Sequence, residues 1–190
     1  MIRHAMTSWN EEGRIQGQTD TELSDRGRRQ VEAWRLPQGF SKVRCVTSPL
    51  KRARETARLL GLRAERTDAR LMEMNWGEFE GKRLVDLRAS LGTDMADLEG
   101  RGLDFRPPRG ESPREVAGRL ASFCADMALE GGGDVLAVAH KGLLRAALVI
   151  ACGWDMLGKP PVKFDPERAL LLDIASDGSL SLQSVVDLRA

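Results

Sequence analysis

Short apolar runs alternate with segments of helical period along the chain, the pattern of an α/β domain. Ser24 opens the first helical segment as its N-cap, Val31 and Trp34 face inward, and the helix ends before Pro37. Lys42 to Thr47 alternates polar residues with Val43, Cys45 and, less strictly, Val46, as a strand does. Ser48-Pro49 then supplies a cap and a proline at the first helical position. Leu50, Ala53, Ala57 and Leu60 recur at helical spacing, so a helix is predicted over Pro49 to Leu60. Ser112-Pro113 with Glu115 carries the signature of a capping box. Val116, Leu120, Phe123 and Met127 follow at i, i+4, i+7 and i+11, which gives that helix one apolar face.

After Gly131-Gly132-Gly133, Asp134 to Ala139 is a continuous apolar run, as expected of a central parallel strand. Another helix follows from about Gly142 to Cys152. A membrane helix would not hold His140, Lys141 and Arg145 inside its apolar stretch, so this is a buried strand running into a helix. Ala169 to Ile174, the turn Asp177-Gly178, and Leu180 to Val186 read as a closing β-hairpin. Residues 76–109 are less regular, with Pro107-Pro108 near their end. That stretch is too short for an independent domain but long enough to cover a pocket. One domain over residues 1–190, with a lid at about 76–109, is the expected organisation.

Composition narrows the chemistry. Lys and Arg total 29 against 28 Asp and Glu, so a formal charge of +1 provides no field for nucleic acid or an anionic membrane. The three cysteines are widely spaced and odd in number, which fits neither a disulfide framework nor a zinc knuckle. Two histidines and no paired cysteines do not make a zinc site either. The N-terminus has no apolar core of a signal peptide. A reducing cytoplasm is the expected setting, with no membrane or nucleic-acid partner. Any histidine chemistry passes through His4 or His140.

Those two histidines sit where α/β sheets place their sites, past the C-terminal ends of strands. Arg3-His4 follows the start of the chain, and His140 follows the run ending at Ala139. Thr47-Ser48 ends another strand, and Arg52 lies in the first turn of the helix after it. If these strands are neighbours, two histidines and two arginines converge on a cationic, donor-rich pocket. Its natural guest is a phosphoryl group. A histidine beside two guanidiniums is kept neutral by like charge, and neutral imidazole is the nucleophilic form.

A resemblance then becomes visible. Ile2-Arg3-His4-Ala5-Met6-Thr7-Ser8-Trp9-Asn10, followed by Gly13-Arg14-Ile15-Gln16-Gly17, resembles the opening motif of the histidine phosphatase superfamily, branch 1, the phosphoglycerate-mutase-like proteins. Leu23-Ser24-Asp25-Arg26-Gly27 with Gln30, Ser48-Pro49-Leu50-Lys51-Arg52-Ala53 with Thr56-Ala57, and Leu71-Met72-Glu73 with Gly77 and Glu80-Gly81 continue it in family order. Gly110-Glu111-Ser112 and Ala139-His140 with Leu144-Arg145-Ala146 complete the series. The resemblance implies a three-layer α/β sandwich with a mostly parallel central sheet. It implies that His4 is the nucleophile, that Arg3, Arg52 and His140 grip the phosphoryl oxygens, and that Glu73 handles the leaving-group proton. Asn10 would add a phosphate contact, and Gln16 with Gly17 would line the entrance. No cofactor or metal is implied.

Several positions depart from the family pattern. Ala5 and Met6 replace the usual glycine and acidic or amide residue; a positive φ at Ala5 would cost about 1–2 kcal/mol, and Met6 either makes the pocket rim more apolar or only packs. Lys141 replaces a glycine, and either leans into solvent or offers a cation to a second phosphate or carboxylate of the substrate. Only Met1 and Ile2 precede Arg3, so a central first strand would leave ladder groups unpaired unless another segment covers them or the chain starts further upstream. The interval from Glu73 to Gly110 is short, with Lys82, Arg83 and Arg88 as its basic cluster, and a short lid leaves water access. The expected function is a metal-independent phosphomonoesterase acting on a small phosphorylated metabolite. A cofactor-dependent phosphoglycerate mutase and a phosphate-binding pseudoenzyme are the alternatives. A homodimer is expected from the fold type alone, with no residue specifying it.

Overall fold

The computed structural model describes residues 1–40 and 43–189. Strands β1 (Ile2–Arg3), β2 (Arg44–Thr47), β3 (Ala64–Thr67) and β4 (Val135–Ala139) form a parallel sheet in the order β1-β4-β2-β3. The helices are α1 (Ser8–Glu11), α2 (Asp25–Glu32), α3 (Lys51–Leu59), α4 (Leu84–Leu91), α5 (Thr93–Glu99), α6 (Pro113–Glu130) and α7 (Lys141–Cys152). An antiparallel hairpin, β5 (Arg168–Ile174) and β6 (Leu180–Asp187), forms a second small sheet. No described helix is long and apolar enough to cross a membrane.

Alternation along β4 creates the layers. Leu136 and Val138 point to a core shared with Val31 of α2 and Ala53 and Ala57 of α3. Ala137 and Ala139 point the other way, to Leu120 and Phe123 of α6 and Leu143 and Ala147 of α7. A strand covered on both faces must be apolar throughout, which is why this segment reads as an unbroken run. The apolar face of α6 meets its expectation: Val116, Leu120, Phe123 and Met127 are all buried. Its N-terminus is a capping box, in which Ser112 Oγ accepts from the Glu115 amide and Glu115 accepts from the Ser112 amide at 2.8 Å.

Local readings shift where tertiary bonds compete with them. The Ser48 amide donates to the Val138 carbonyl at 3.0 Å and prolongs the β2–β4 ladder past Thr47. Helix α3 therefore begins at Lys51 with Leu50 as its cap residue, not at Pro49, and Ser48 Oγ accepts from the Leu50 amide at 3.3 Å. Strand β2 begins at Arg44; Lys42, placed in it by the sequence pattern, lies outside the described residues. Trp34 is buried as expected, but from the turn that follows α2.

The first strand is not central. It occupies the edge of the sheet, in register with β4 through Ile2 opposite Val138 and Arg3 opposite Ala139. The hairpin meets its outer side: the Leu170 amide donates to the Met1 carbonyl at 2.9 Å, and the Met1 amino group donates to the Leu170 carbonyl at 2.6 Å. Residues 76–109 form α4, α5 and two single 3₁₀ turns. Their Phe79, Leu87, Met95 and Phe105 are buried in the same core as α6 and α7, and Trp76 packs on Phe105 at 5.3 Å between ring centroids. The segment is thus built onto the body by apolar contact. Cys45, Cys124 and Cys152 are free thiols, and burial pushes the first two up to about 11.

Candidate active site

The strand order brings the two histidines together. Because β1 lies beside β4 with Arg3 opposite Ala139, the next residues, His4 and His140, leave the sheet side by side. The His4 amide donates to the Ala139 carbonyl at 2.9 Å, and the two imidazoles stand 5.1 Å apart between centroids, tilted by 53°. Strand β2, on the other side of β4, delivers Thr47 and Ser48 and then α3, whose second residue is Arg52. His4, Arg52 and His140 are all buried.

His4 Nδ1 lies 2.7 Å from the Ala5 carbonyl oxygen. A carbonyl only accepts, so Nδ1 carries the proton and Nε2 keeps its lone pair. Burial holds the His4 pKa well below its ordinary value, with Arg3 and Arg52 lowering it further. His140 is held low for the same reasons, burial first, then His4, Arg52 and Arg3. Both imidazoles are therefore neutral at physiological pH. Neither ring nitrogen of His140 has a partner among the described residues, and the same is true of Nε in Arg3 and Arg52. Buried polar groups without partners are rare and costly in folded proteins. Here they converge on one place, which is the signature of a site for an anion rich in acceptors.

Arg52 is also a strut. Its Nη1 donates to the Thr19 carbonyl at 2.8 Å and its Nη2 to the Gly17 carbonyl at 2.7 Å. Gly17 has φ +54°, and a Cβ there would lie 1.9 Å from Glu80 Oε1. Glu80 in turn accepts from the Gln18 amide at 2.9 Å, the Trp76 amide at 3.1 Å and both the Thr19 amide and hydroxyl. The loop after α1 is thus clipped to the loop that carries Glu73.

Glu73 lines the same cavity as Arg3, His4 and Arg52, a space of about 610 Å³. Its Oε1 accepts from the Gly142 amide at the start of α7 and from the Met74 amide, each at 2.9 Å. Of the three neighbouring carboxylates only Glu73 faces the cavity: Glu80 is spent on the clip, and Glu78 pairs with Arg109 on the surface. Asn10 and Gln16 line the cavity too, but their carbonyl oxygens are committed locally. Asn10 Oδ1 accepts from the Thr7 amide in a capping box, and Gln16 Oε1 accepts from the Thr7 and Thr21 hydroxyls at 2.9 and 2.6 Å. Their side-chain amide nitrogens are what they can offer a ligand. Lys141 borders the cavity although exposed; burial of its surroundings, Arg3 and Arg145 lower its pKa, and Glu73 raises it.

The loop after β1 is unstrained at Ala5 and turned away from the cavity at Met6. Ala5 is not strained, since the described non-glycine residues with positive φ are Arg109 and Met156 alone. The Ala5 amide donates to Thr56 Oγ1 at 3.1 Å, so an ordinary backbone suffices. Met6 does not line the cavity; its amide donates to Gln30 Oε1 and its carbonyl accepts from the Ser24 amide, which ties it to α2. A wider groove, about 1120 Å³, opens outside the 76–109 segment. It holds neither histidine, and its Arg14, Arg83 and Arg106 are paired with Glu12, Asp86 and Glu115.

The structure adds residues that sequence reasoning missed. Glu111 and Arg119 form a two-pronged ion pair beside the Glu73 loop, and Arg145 stands on the cavity wall above Trp154. Glu111 and Arg145 fall within Gly110-Glu111-Ser112 and Leu144-Arg145-Ala146, segments that carried the resemblance without giving either residue a role, and Arg119 stood in no motif.

The sequence model of the histidine phosphatase superfamily (branch 1) matches residues 1–185. Glucosyl-3-phosphoglycerate phosphatase from Mycobacterium tuberculosis is 36% identical over 177 residues, 83% of this chain and 78% of that protein. A 2,3-bisphosphoglycerate-dependent phosphoglycerate mutase from Gloeobacter violaceus is 32% identical over 164 residues, 78% of this chain and 73% of that protein. The solved structure of mycobacterial hydrolase 1 superposes with a TM-score of 0.81 at 30% identity, covering 100% of this chain and 97% of that one. With its paired histidines and arginines at the strand ends, the chain belongs to the histidine phosphatase superfamily, branch 1.

Proposed function

We propose that the protein is a metal-independent phosphomonoesterase that hydrolyses a small phosphorylated metabolite through a phosphohistidine at His4. The observation that carries this reading is His4 itself: a buried, neutral imidazole whose Nδ1 proton is fixed on Ala5, beside Arg3, Arg52 and an unpartnered His140. Nε2 attacks phosphorus with its lone pair as the ester P–O bond breaks. The developing charge on the phosphoryl oxygens is met by guanidinium donors that need no reorganisation. Glu73, entering with a proton, gives it to the departing oxygen. The resulting carboxylate then takes a proton from water, whose oxygen attacks phosphorus while the P–N bond breaks. Nε2 regains its lone pair, and inorganic phosphate leaves.

The short interval between Glu73 and Gly110 favours hydrolysis over transfer, because little chain is available to exclude water from a phosphohistidine. The 32% identity to a phosphoglycerate mutase keeps mutase action as the second reading. Phosphate release from p-nitrophenyl phosphate in EDTA, lost in His4→Ala, is the expected result. Activity that survives His4→Ala rejects the phosphohistidine. Isomerisation of 3-phosphoglycerate that depends on 2,3-bisphosphoglycerate, without phosphate release, would make the protein a mutase. An unaltered chain that binds phosphate but turns over neither substrate would be a pseudoenzyme.

A further inference from the structure

Glu80 takes no part in the proposed chemistry and does not line the cavity, yet its carboxylate accepts four hydrogen bonds. Oε1 accepts from the amides of Gln18 and Trp76, and Oε2 accepts from the amide and the hydroxyl of Thr19, at 2.9 and 2.6 Å. That fills the acceptor sites of a carboxylate. Three of the four bonds fall on two consecutive residues of the loop after α1.

Arg52 lies on the opposite side of that loop. Its Nη2 donates to the Gly17 carbonyl and its Nη1 to the Thr19 carbonyl. The Gly17–Gln18 peptide therefore gives its carbonyl to Arg52 and its N–H to Glu80. A peptide unit is planar and trans, so its C=O and N–H point in opposite directions, and fixing one end fixes the other. The next peptide also gives its N–H, that of Thr19, to Glu80. Charged partners at both ends of such a unit polarise it and strengthen both bonds.

Two carbonyls on its two terminal nitrogens fix the plane of the Arg52 guanidinium. Its Nε is buried without a partner among the described residues and is left for an anion. Burial lowers the Arg52 pKa, while Glu73, Asp20 and Glu80 act to keep its charge. The carboxylate of Glu80 is not what brings the two loops together. The Ile15 amide donates to the Lys82 carbonyl at 2.9 Å, and the Gly81 amide donates to the Ile15 carbonyl at 2.8 Å. With that backbone pairing in place, the Glu80 side chain sets how the peptides between it and Arg52 are turned.

We propose that Glu80 is a positioning residue for Arg52, aiming the guanidinium at the phosphoryl oxygens through the Gly17–Thr19 backbone. This rests on the reading of Arg52 as a phosphoryl grip and deepens it.

Calorimetric binding of inorganic phosphate tests it without reference to turnover. Glu80→Ala is expected to weaken phosphate binding about 10- to 100-fold, the range for misdirected hydrogen bonds to a charged group. In an Arg52→Met background the same substitution is expected to change binding less than about twofold, because the two residues act as one unit. Glu80→Gln, which keeps the size and one acceptor oxygen, repeats the cycle if the Ala variant does not fold, with a smaller loss expected. Turnover adds a second readout. Glu80→Ala should lower kcat/KM by the same factor on p-nitrophenyl phosphate and on glycerol 3-phosphate, since Arg52 serves the phosphoryl group that both share. Undiminished phosphate binding in a folded Glu80 variant overturns the proposal, as does an equal loss with and without Arg52. A loss confined to glycerol 3-phosphate also overturns it, and assigns Glu80 to the Glu73 loop through Trp76. If the unaltered protein binds phosphate but hydrolyses neither ester, the hydrolytic reading falls and the binding cycle alone decides the role of Glu80.

Discussion

Arg119 Nη2 donates to the backbone carbonyl of Glu73 at 3.1 Å. The same guanidinium donates to the Arg70 carbonyl at 2.6 Å and, through Nε and Nη2, to the two carboxylate oxygens of Glu111 at 3.1 Å each. Glu111 completes the clamp by accepting from the Asn75 amide at 2.8 Å. One ion pair on α6 and its approach therefore holds the loop on which Glu73 stands. For Glu73 in the proposed role of general acid a fixed loop matters, because the acid must meet the leaving oxygen within hydrogen-bond reach.

Loosening that clamp should produce the defect of a misplaced acid. Arg119→Met is expected to lower kcat about 10- to 100-fold on an alkyl phosphate such as glycerol 3-phosphate. On p-nitrophenyl phosphate, whose leaving group needs little protonation, the loss should be several-fold smaller. Glu73→Gln should show the same dependence on leaving group. If it does and a folded Arg119→Met slows both esters equally, Arg119 does not position Glu73.

Gly142 offers a gentler displacement. A Cβ at this position would lie 2.1 Å from Glu73 Oε1, while the helix itself favours alanine over glycine. Gly142→Ala should therefore keep the melting temperature within a few degrees of the unaltered protein and still lower kcat on alkyl phosphates about tenfold. Full activity in this variant would show that Glu73 works equally well from a shifted position.

The buried neutral histidines make stability depend on pH. In the folded chain His4 and His140 bind protons only well below 6.5, whereas in the unfolded chain they bind them near that value. As pH falls through 6.5 the unfolded state takes up more protons, so stability is complete above that pH and is lost on acidification. The slope is about 1.4 kcal/mol per pH unit for each histidine. Urea unfolding between pH 7.5 and 5.5 should show it, and His140→Gln should make the slope shallower. Equal slopes would mean that His140 is protonated in the fold. For catalysis the same depression places the acid limb attributable to His4 below pH 6.5 in a kcat/KM profile.

Leu120 tests the core that supports the sheet. It is fully buried between α6, the sheet and α7. Leu120→Ala should cost about 2–5 kcal/mol in chemical unfolding. A loss below about 1 kcal/mol would show that the layer can collapse around the missing atoms.

The sequence by itself determined the features that depend on neighbours in the chain. The apolar face of α6, its Ser112–Glu115 box, the apolar strand before His140 and the closing hairpin all follow from side-chain period and local hydrogen bonds. It also determined the inventory for chemistry, since only two histidines exist to be placed. Tertiary structure decided what depends on partners far along the chain. It put β1 at the sheet edge against Leu170, delayed α3 by bonding Ser48 to Val138, and set Glu73, not Glu78 or Glu80, on the cavity wall. It also turned Arg119, an ordinary helical arginine in sequence, into a clamp, and set Arg145 of the last motif over Trp154. The physical reason is that period and capping act within about one turn, while the partner of a buried charge or strand edge is set by how whole elements pack.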